Sequence, residues 1–187
     1  MHKPITLRPA VSAPNRPSTM VTVVSARPAP PPRVQVVTFC VGGERCAADV
    51  FAVERVLPYA SPRPLANAPG CIKGVVEHDG GIVPVLDLRT RLGIPPSSAR
   101  SVARTIVFAA GGGRIAAAVD TVDAVEAVDV SAIEDPPQDL RGDARQFVRG
   151  IIRRGDSAVT LLDVPRLLDA GERLMLDHAM MEEGNGR

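Results

Sequence analysis

The sequence predicts a mainly β protein made of two similar small β units, each closed by a helix. Three observations carry that expectation. Its apolar runs are short and bounded by Gly and Pro, its apolar residues are mostly Val, Ile, Leu and Ala, and an internal repeat runs through it. "KGVVEHDGGIVPVLDLRTRL" from Lys73 matches "RGIIRRGDSAVTLLDVPRLL" from Arg149, pairing Gly74 with Gly150, Val83 with Val159, Leu86 with Leu162, Asp87 with Asp163 and Leu92 with Leu168 at an offset of 76. The Gly-to-Asp spacing is 13 residues in both copies. A second match, at an offset of 69, pairs "GGERCAADVFAVERV" from Gly42 with "GGGRIAAAVDTVDAV" from Gly111, with 8 of 15 positions identical. Each unit alone is near the size at which a core is marginal. Burying a shared interface, at roughly 25 cal/mol per Å², should add several kcal/mol and make the two lobes one body. A groove between them is the natural place for a partner.

The elements follow in order. Residues 1–33 hold eight prolines, ending in "RPAPPPR", and Lys3, Arg8, Arg16, Arg27 and Arg33 without an acid. That is the composition of a disordered, partly polyproline tether. From residue 34 "VQVVTFCV", a turn at Gly42–Arg45, "CAADV" and "FAVERVL" read as strands, the last bounded by Pro58. A loop with Pro62, Pro64 and Pro69 leads into the hairpin "GVVEHDGGIVPVLDL". Asp87 stands where a helix N-cap belongs, and Gly93, Pro95 and Pro96 end that helix. "RTIVFAA", "RIAAAVD" and "TVDAVEAVDV" supply further strands, the last alternating so that one face is buried and the other wet. "GERLMLDHAMMEE" reads as a C-terminal helix whose Met175, Met180 and Met181 pack into the core. The expected boundaries are a tail over 1–33, a folded domain over 34–176 and a C-terminal tail over 177–187.

Composition excludes several functions. One Tyr, four Phe and no Trp leave little for stacking on bases. Beyond the basic tail, 17 basic residues face 21 acidic ones, so the body is mildly acidic and nucleic acid is not an expected partner. Cys40, Cys46 and Cys71 form no C-x-x-C pair, no secretory signal is evident and no apolar run approaches the roughly 18 residues needed to span a bilayer. These features point to a reduced cytoplasmic protein without direct membrane insertion.

The polar cluster Glu77-His78-Asp79 before two glycines poses a choice between a catalytic cluster and a structural turn carrying a partner-facing charge. No nucleophile motif accompanies His78, which favours an exposed hairpin turn. "GGGRIA" at 111–116 resembles a dinucleotide fingerprint, but the pattern after it continues as strand rather than helix, so a hairpin turn is expected. The three histidines stand at no zinc-ligand spacing. No metal, cofactor or catalytic residue is expected. Cys40 and Cys46 flank one turn and are sterically able to pair, although buried thiols are the ordinary outcome.

Residues 34–176 resemble the CheW-like chemotaxis adaptors. The order of "VVTFCVGGERCAADVFAVERVLPY", "LANAPGCIKGVVEHDGGIVPVLDLRTRLG", "AAAVDTVDAV" and "FVRGIIRRGDSAVTLLDVPRLL" carries the resemblance, most specifically Pro69, Lys73-Gly74-Val75 and "IVPVLDLR". The resemblance implies two SH3-like five-stranded β-barrel subdomains packed together, with short helices and a C-terminal helix. It also implies a non-catalytic scaffold that couples the cytoplasmic hairpin tips of chemoreceptors to the regulatory domain of a CheA-type histidine kinase, in the cytoplasm and recruited to membrane receptor arrays. Partner-binding positions carry over to Val53, Arg55, Gly74, Asp79, Val122 and Val125. The other reading from the sequence is a small-molecule or redox sensor using the inter-lobe groove or Cys40 and Cys46.

One departure from the family pattern bears on the polar turn. Similar adaptors carry an acid in Val-x-Glu-hydrophobic and a base in Asn-hydrophobic-Arg-Gly, and the two pair at the groove. Here Arg55 occupies the acid's place and Asp79 the base's place. "F-x-hydrophobic-Gly" at Phe39–Gly42, with Asp49-Val50, anchors that ungapped register, whereas a slip of one residue would put Glu54 at the acid's place. A joint inversion preserves attraction, and reverses the polarity shown to a partner.

Overall fold

The structure, a computed structural model, describes residues 31–95, 103–138, 140 and 142–185. Most of the tail expected over 1–33 lies outside the described residues. The strands are β1 (Arg33–Val41), β2 (Glu44–Asp49), β3 (Val53–Pro58), β4 (Ile72–His78), β5 (Gly81–Leu86), β6 (Arg104–Ala110), β7 (Gly113–Val119), β8 (Thr121–Asp129), β9 (Ile133–Glu134), β10 (Val148–Arg154) and β11 (Ser157–Leu162). Two α-helices accompany them, α1 (Leu88–Arg91) and α2 (Ala170–Asn185). One sheet has the order β8-β1-β2-β11-β10-β9 and the other β3-β6-β7-β5-β4. The mainly β class with two subdomains and a C-terminal helix therefore holds. The two-residue β9 gives one lobe a sixth strand.

Turn chemistry sets the hairpins. Gly42 and Gly43 (φ 61° and 95°), Gly111 and Gly112 (56° and 99°), and Asp79 and Gly80 (50° and 73°) put two successive residues in the left-handed region. Tight hairpins need this because their turn must match the right-handed strand twist. "GGGRIA" is thus a β6–β7 turn followed by strand, and Asp79 is tolerated at positive φ because its short polar side chain suits that conformation.

The repeat reappears in space with its parts exchanged. β3, from the first copy, pairs with β6 in the five-stranded lobe, and β8, from the second, pairs with β1 in the six-stranded lobe. Two parallel contacts are equivalent: Val85↔Ala116 in β5·β7 and Leu161↔Ala47 in β11·β2 differ by the repeat offsets of 76 and 69. Alternation along these strands then feeds three cores. Ala47, Val36, Ile152 and Leu161 fill the six-stranded lobe, and Val83, Val85, Val107 and Ala116 fill the five-stranded lobe. Their neighbours Cys46, Ala48, Leu86, Ile106, Phe108, Ile115 and Leu162 join one core shared by both lobes. Phe39 and Phe108, 69 residues apart, meet there with ring centroids 6.4 Å apart and tilted by 52°.

Asp87 caps α1 as expected, its carboxylate accepting the N–H groups of Arg89 and Thr90 at 3.0 and 3.3 Å, and Gly93 (φ 64°) follows a single helical turn. A reciprocal cap starts α2: Glu172 N–H donates to Asp169 Oδ1 at 2.7 Å and Asp169 N–H to Glu172 Oε2 at 3.0 Å. Leu176, Ala179 and Met180 pack α2 onto the shared core, whereas Met175 and Met181 face solvent. The Met stripe is therefore split rather than wholly buried. Strand β8 also differs from expectation. It is an edge strand with a register shift opposite Thr38/Phe39, and Val128 is the residue it buries fully.

Candidate partner-binding surface

At one end of the five-stranded lobe the two edge strands of the sheet are joined through side chains. The register of β3 against β6 shifts between Val53 and Arg55, taking Glu54 out of the ladder. As a result, adjacent charged residues reach different partners. Glu54 meets Arg114 of β7 at 2.6 Å (Arg114 Nη2 to Oε1), with Arg114 Nε donating to Oε2 at 2.9 Å. Arg55 meets Asp79, in the β4–β5 turn, at 3.6 Å (Nη2 to Oδ2). Glu54, by hydrogen bond and charge, and Asp79, by charge, hold the Arg114 guanidinium above its ordinary pKa. The two side chains of the Arg55–Asp79 pair are 57% and 45% exposed, which keeps its stabilising contribution to about 1 kcal/mol or less.

His78 ends β4 with its imidazole largely tucked in, Nε2 3.4 Å from Asp79 Oδ2. The expectation of an exposed turn holds for Asp79 and Gly80 and not for this ring. Among Glu54, Arg55, His78, Asp79 and Arg114 there is no hydroxyl or thiol to act as a nucleophile. Charge neutralisation is what the arrangement provides.

The remaining positions from the sequence fall into three environments. Val53 and Val122 are half-buried and pack against the rim of the shared core. Val125 is exposed on β8, opposite Val37. Gly74 is enclosed: a Cβ there would lie 2.1 Å from the Arg63 carbonyl oxygen, and its φ is 146°. Its proximity to Arg63 follows from the bridge between Arg63 and Val75, each donating its N–H to the other's carbonyl at 2.9 and 2.8 Å.

Sequence reasoning missed Phe51. It sits on the one-turn helix Val50–Ala52, its N–H donating to Asp49 Oδ1 at 3.0 Å, and its ring is almost wholly exposed. The signal was present in an Asp able to cap a turn beside an aromatic in a chain with few of them. Phe51, Val56 and Tyr59 are exposed apolar side chains on and around β3, beside the paired charges. Apolar area next to neutralised charge suits a protein partner.

The thiols fit a redox role poorly. In the β1·β2 ladder Cys46 stands opposite Phe39, and Cys40 opposite Arg45. Burial first, then the neighbouring Cys40 and Glu44, pushes the Cys46 thiol up to about 12. Burial likewise raises Cys71 to about 11, against the lowering effect of Arg91. Both are protonated at neutral pH, the unreactive form. Among the described residues no group of three or more His, Cys, Asp or Glu is placed to hold a metal ion, and no helix is long and apolar enough to cross a membrane.

Comparison with known proteins agrees with this architecture. A family model described as the CheW-like domain matches residues 35–172. The Chemotaxis protein CheW of Treponema pallidum is 24% identical over 142 residues, covering 74% of this chain and 84% of that protein. Protein FrzA of Myxococcus xanthus is 32% identical over 147 residues, covering 76% and 89%. The crystal structure of the scaffolding protein TtCheW from Thermoanaerobacter tengcongensis superposes with a TM-score of 0.67 at 28% identity, covering 75% of this chain and 96% of that one. The match spans both lobes and the shared core between them, and the chain therefore belongs to the CheW-like chemotaxis adaptor family.

Proposed function

We propose that this chain is a non-catalytic adaptor that couples the cytoplasmic tips of chemoreceptors to the regulatory domain of a CheA-type histidine kinase. The observation that most supports this is the set of exposed apolar side chains Phe51, Val56 and Tyr59 on and around β3, the strand that carries Arg55 of the neutralised Arg55–Asp79 pair, on a fold whose family members include a scaffolding protein. Two weak interfaces on one body raise the local concentration of kinase and receptor, which is how a scaffold acts without chemistry of its own. In this reading the adaptor domain extends from residue 34 through α2, past the boundary expected at 176 because Ala179 and Met180 belong to the shared core, and the protein works in the cytoplasm, brought to the membrane by its receptors.

The reading extends to specificity. With Arg55 and Asp79 in inverted order, a kinase or receptor surface matched to the usual polarity meets like charge here, so the pair selects partners by repulsion as well as attraction. Val122 and Val125 on β8 extend the contact surface, and Gly74 supports it from within by keeping the β4–β5 hairpin against Arg63.

Calorimetric titration of the full chain against the regulatory domain of a CheA-like kinase from the same genome tests the reading. Saturable 1:1 binding, weakened by Phe51→Ser, is expected. A folded chain that gives no heat and forms no complex overturns it.

A further inference from the structure

Helix α2 is packed on one side only. Leu176, Ala179 and Met180 face the shared core, Arg173 donates to the carbonyls of Ala110 and Pro165 at 2.9 and 2.6 Å, and Glu183 pairs with Arg63. The opposite side of such a helix is ordinarily polar. Here Leu174, Met175 and Met181 are 66%, 53% and 69% exposed, with exposed His178 between them. At about 100° per residue, Leu174, His178 and Met181 fall on one narrow strip two turns long. A shallow cavity of about 340 Å³, lined by Asn67, Leu174, Met175, His178, Ala179 and Glu182, widens that strip on one flank.

We propose that this outward face of α2 docks a basic amphipathic helix from a partner protein. A straight apolar ridge along one helix is matched by the side-chain ridges of another, and exposed Met side chains adapt to such a seam. The rim gives the sign of the charge. Asp177 flanks the strip on one side and Glu182 on the other, both exposed, while the one cation of α2, Arg173, is turned inward to backbone carbonyls. Lysines or arginines beside an apolar seam complement that rim. A second copy would set these carboxylates against their own kind, and an anionic lipid surface would repel them.

The test uses a synthetic leucine–lysine peptide of about 18 residues, long enough to fold as a helix, and a control peptide with glutamate in place of lysine. Fluorescence anisotropy with the full chain is expected to give saturable binding of the lysine peptide and none of the control. The double variant Leu174→Gln/Met181→Gln should weaken binding roughly tenfold or more, with its unfolding midpoint unchanged. Val130→Gln, an equally simple change at an exposed apolar residue of the other lobe, should leave binding as it was. The proposal is overturned if the lysine peptide does not saturate, if both peptides bind alike, or if the double variant binds as wild type. It is equally overturned if the double variant instead abolishes self-association or binding to phosphatidylserine-containing vesicles.

Discussion

The five-stranded and six-stranded lobes close their open ends with the same device and opposite charge. In the five-stranded lobe the base is on the edge strand and the acid at the hairpin: Arg55 on β3 and Asp79 after β4. In the six-stranded lobe the acid is on the edge strand and the base at the hairpin: Glu126 on β8 pairs with Arg154 at the end of β10. The two pairs sit within two residues of equivalence under the repeat offsets of 69 and 76. The surroundings account for the contrast. Asp79 feels a second cation, Arg114, so an acid at that hairpin serves two bases. Glu126 lies within 3.5 Å of the Thr38 hydroxyl, so in that lobe it is the edge strand that holds the shared acceptor. Either order preserves the attraction across the lobe, and which member carries which sign is free to serve a partner.

If the lobes are one body, their common core should dominate stability. Phe39→Ala and Phe108→Ala, on either side of the shared core, should each cost about 3–5 kcal/mol, and urea unfolding should remain a single transition in both. Two separated transitions would break the equivalence of the lobes.

The two enclosed glycines sharpen it. Gly74→Ala places a methyl 2.1 Å from a backbone oxygen at a φ that L residues rarely adopt, and should cost more than about 3 kcal/mol. At Gly150 the obstacles are Ile133 Cγ2 at 2.6 Å and the Glu134 oxygen at 2.8 Å. The flexible side chain yields and the two-residue β9 moves more easily than the Arg63 bridge, so Gly150→Ala should cost about 1–3 kcal/mol. Denaturation midpoints check the order, and equal losses would show that β9 is held as firmly as the Arg63 segment.

These paired positions were legible in the sequence because a glycine forced by backbone contact and an aspartate after an apolar strand leave a mark at fixed spacing. The N-cap at Asp87 and the turns at Gly42-Gly43 and Asp79-Gly80 were legible for the same local reason. The exchange of β3 and β8 between lobes was not, since a repeat offset records likeness and not which strand a segment pairs with. The pairs Glu54–Arg114 and Glu126–Arg154 join residues 60 and 28 positions apart on strands that are not sequence neighbours, the first of them at a bulge, and no local pattern marks either. The charges of Arg55 and Asp79 were readable through family resemblance, whereas Phe51 owes its exposure to a single helical turn too short to show a period.

A smaller effect separates Asp87 from its repeat partner. Asp87 caps α1 and receives Lys73 Nζ at 3.0 Å, whereas Asp163 makes no side-chain cap bond. Asp87→Ala should therefore cost about 1–2 kcal/mol and Asp163→Ala a few tenths. Burial raises the Asp87 pKa, but hydrogen bonds from Lys73 and Thr90 outweigh it and the net shift is downward. A carboxyl depressed on folding stabilises above its unfolded pKa and loses that contribution as pH falls. The wild-type advantage over Asp87→Ala should be full near pH 6 and shrink below about pH 4. An advantage that grows with acid would reverse the assigned sign.

Least costly to the fold, and most informative about function, is exchange of the exposed pairs. Arg55→Asp with Asp79→Arg, and separately Glu126→Arg with Arg154→Glu, should each change stability by about 1 kcal/mol or less. The first exchange should cost more, because an arginine at position 79 meets Arg114 and His78. Binding is where the lobes should part. If the polarity at β3 selects partners, the first exchange should weaken binding to the matched kinase regulatory domain and improve it for a foreign one, largely through association rate and with strong salt dependence. The second exchange then serves as the comparison, altering closure of the other lobe while leaving the polarity at β3 as it was. Unchanged preference in the first would mean that Arg55–Asp79 does for its lobe what Glu126–Arg154 does for the other, closing a sheet, and that specificity rests on the apolar side chains around Phe51.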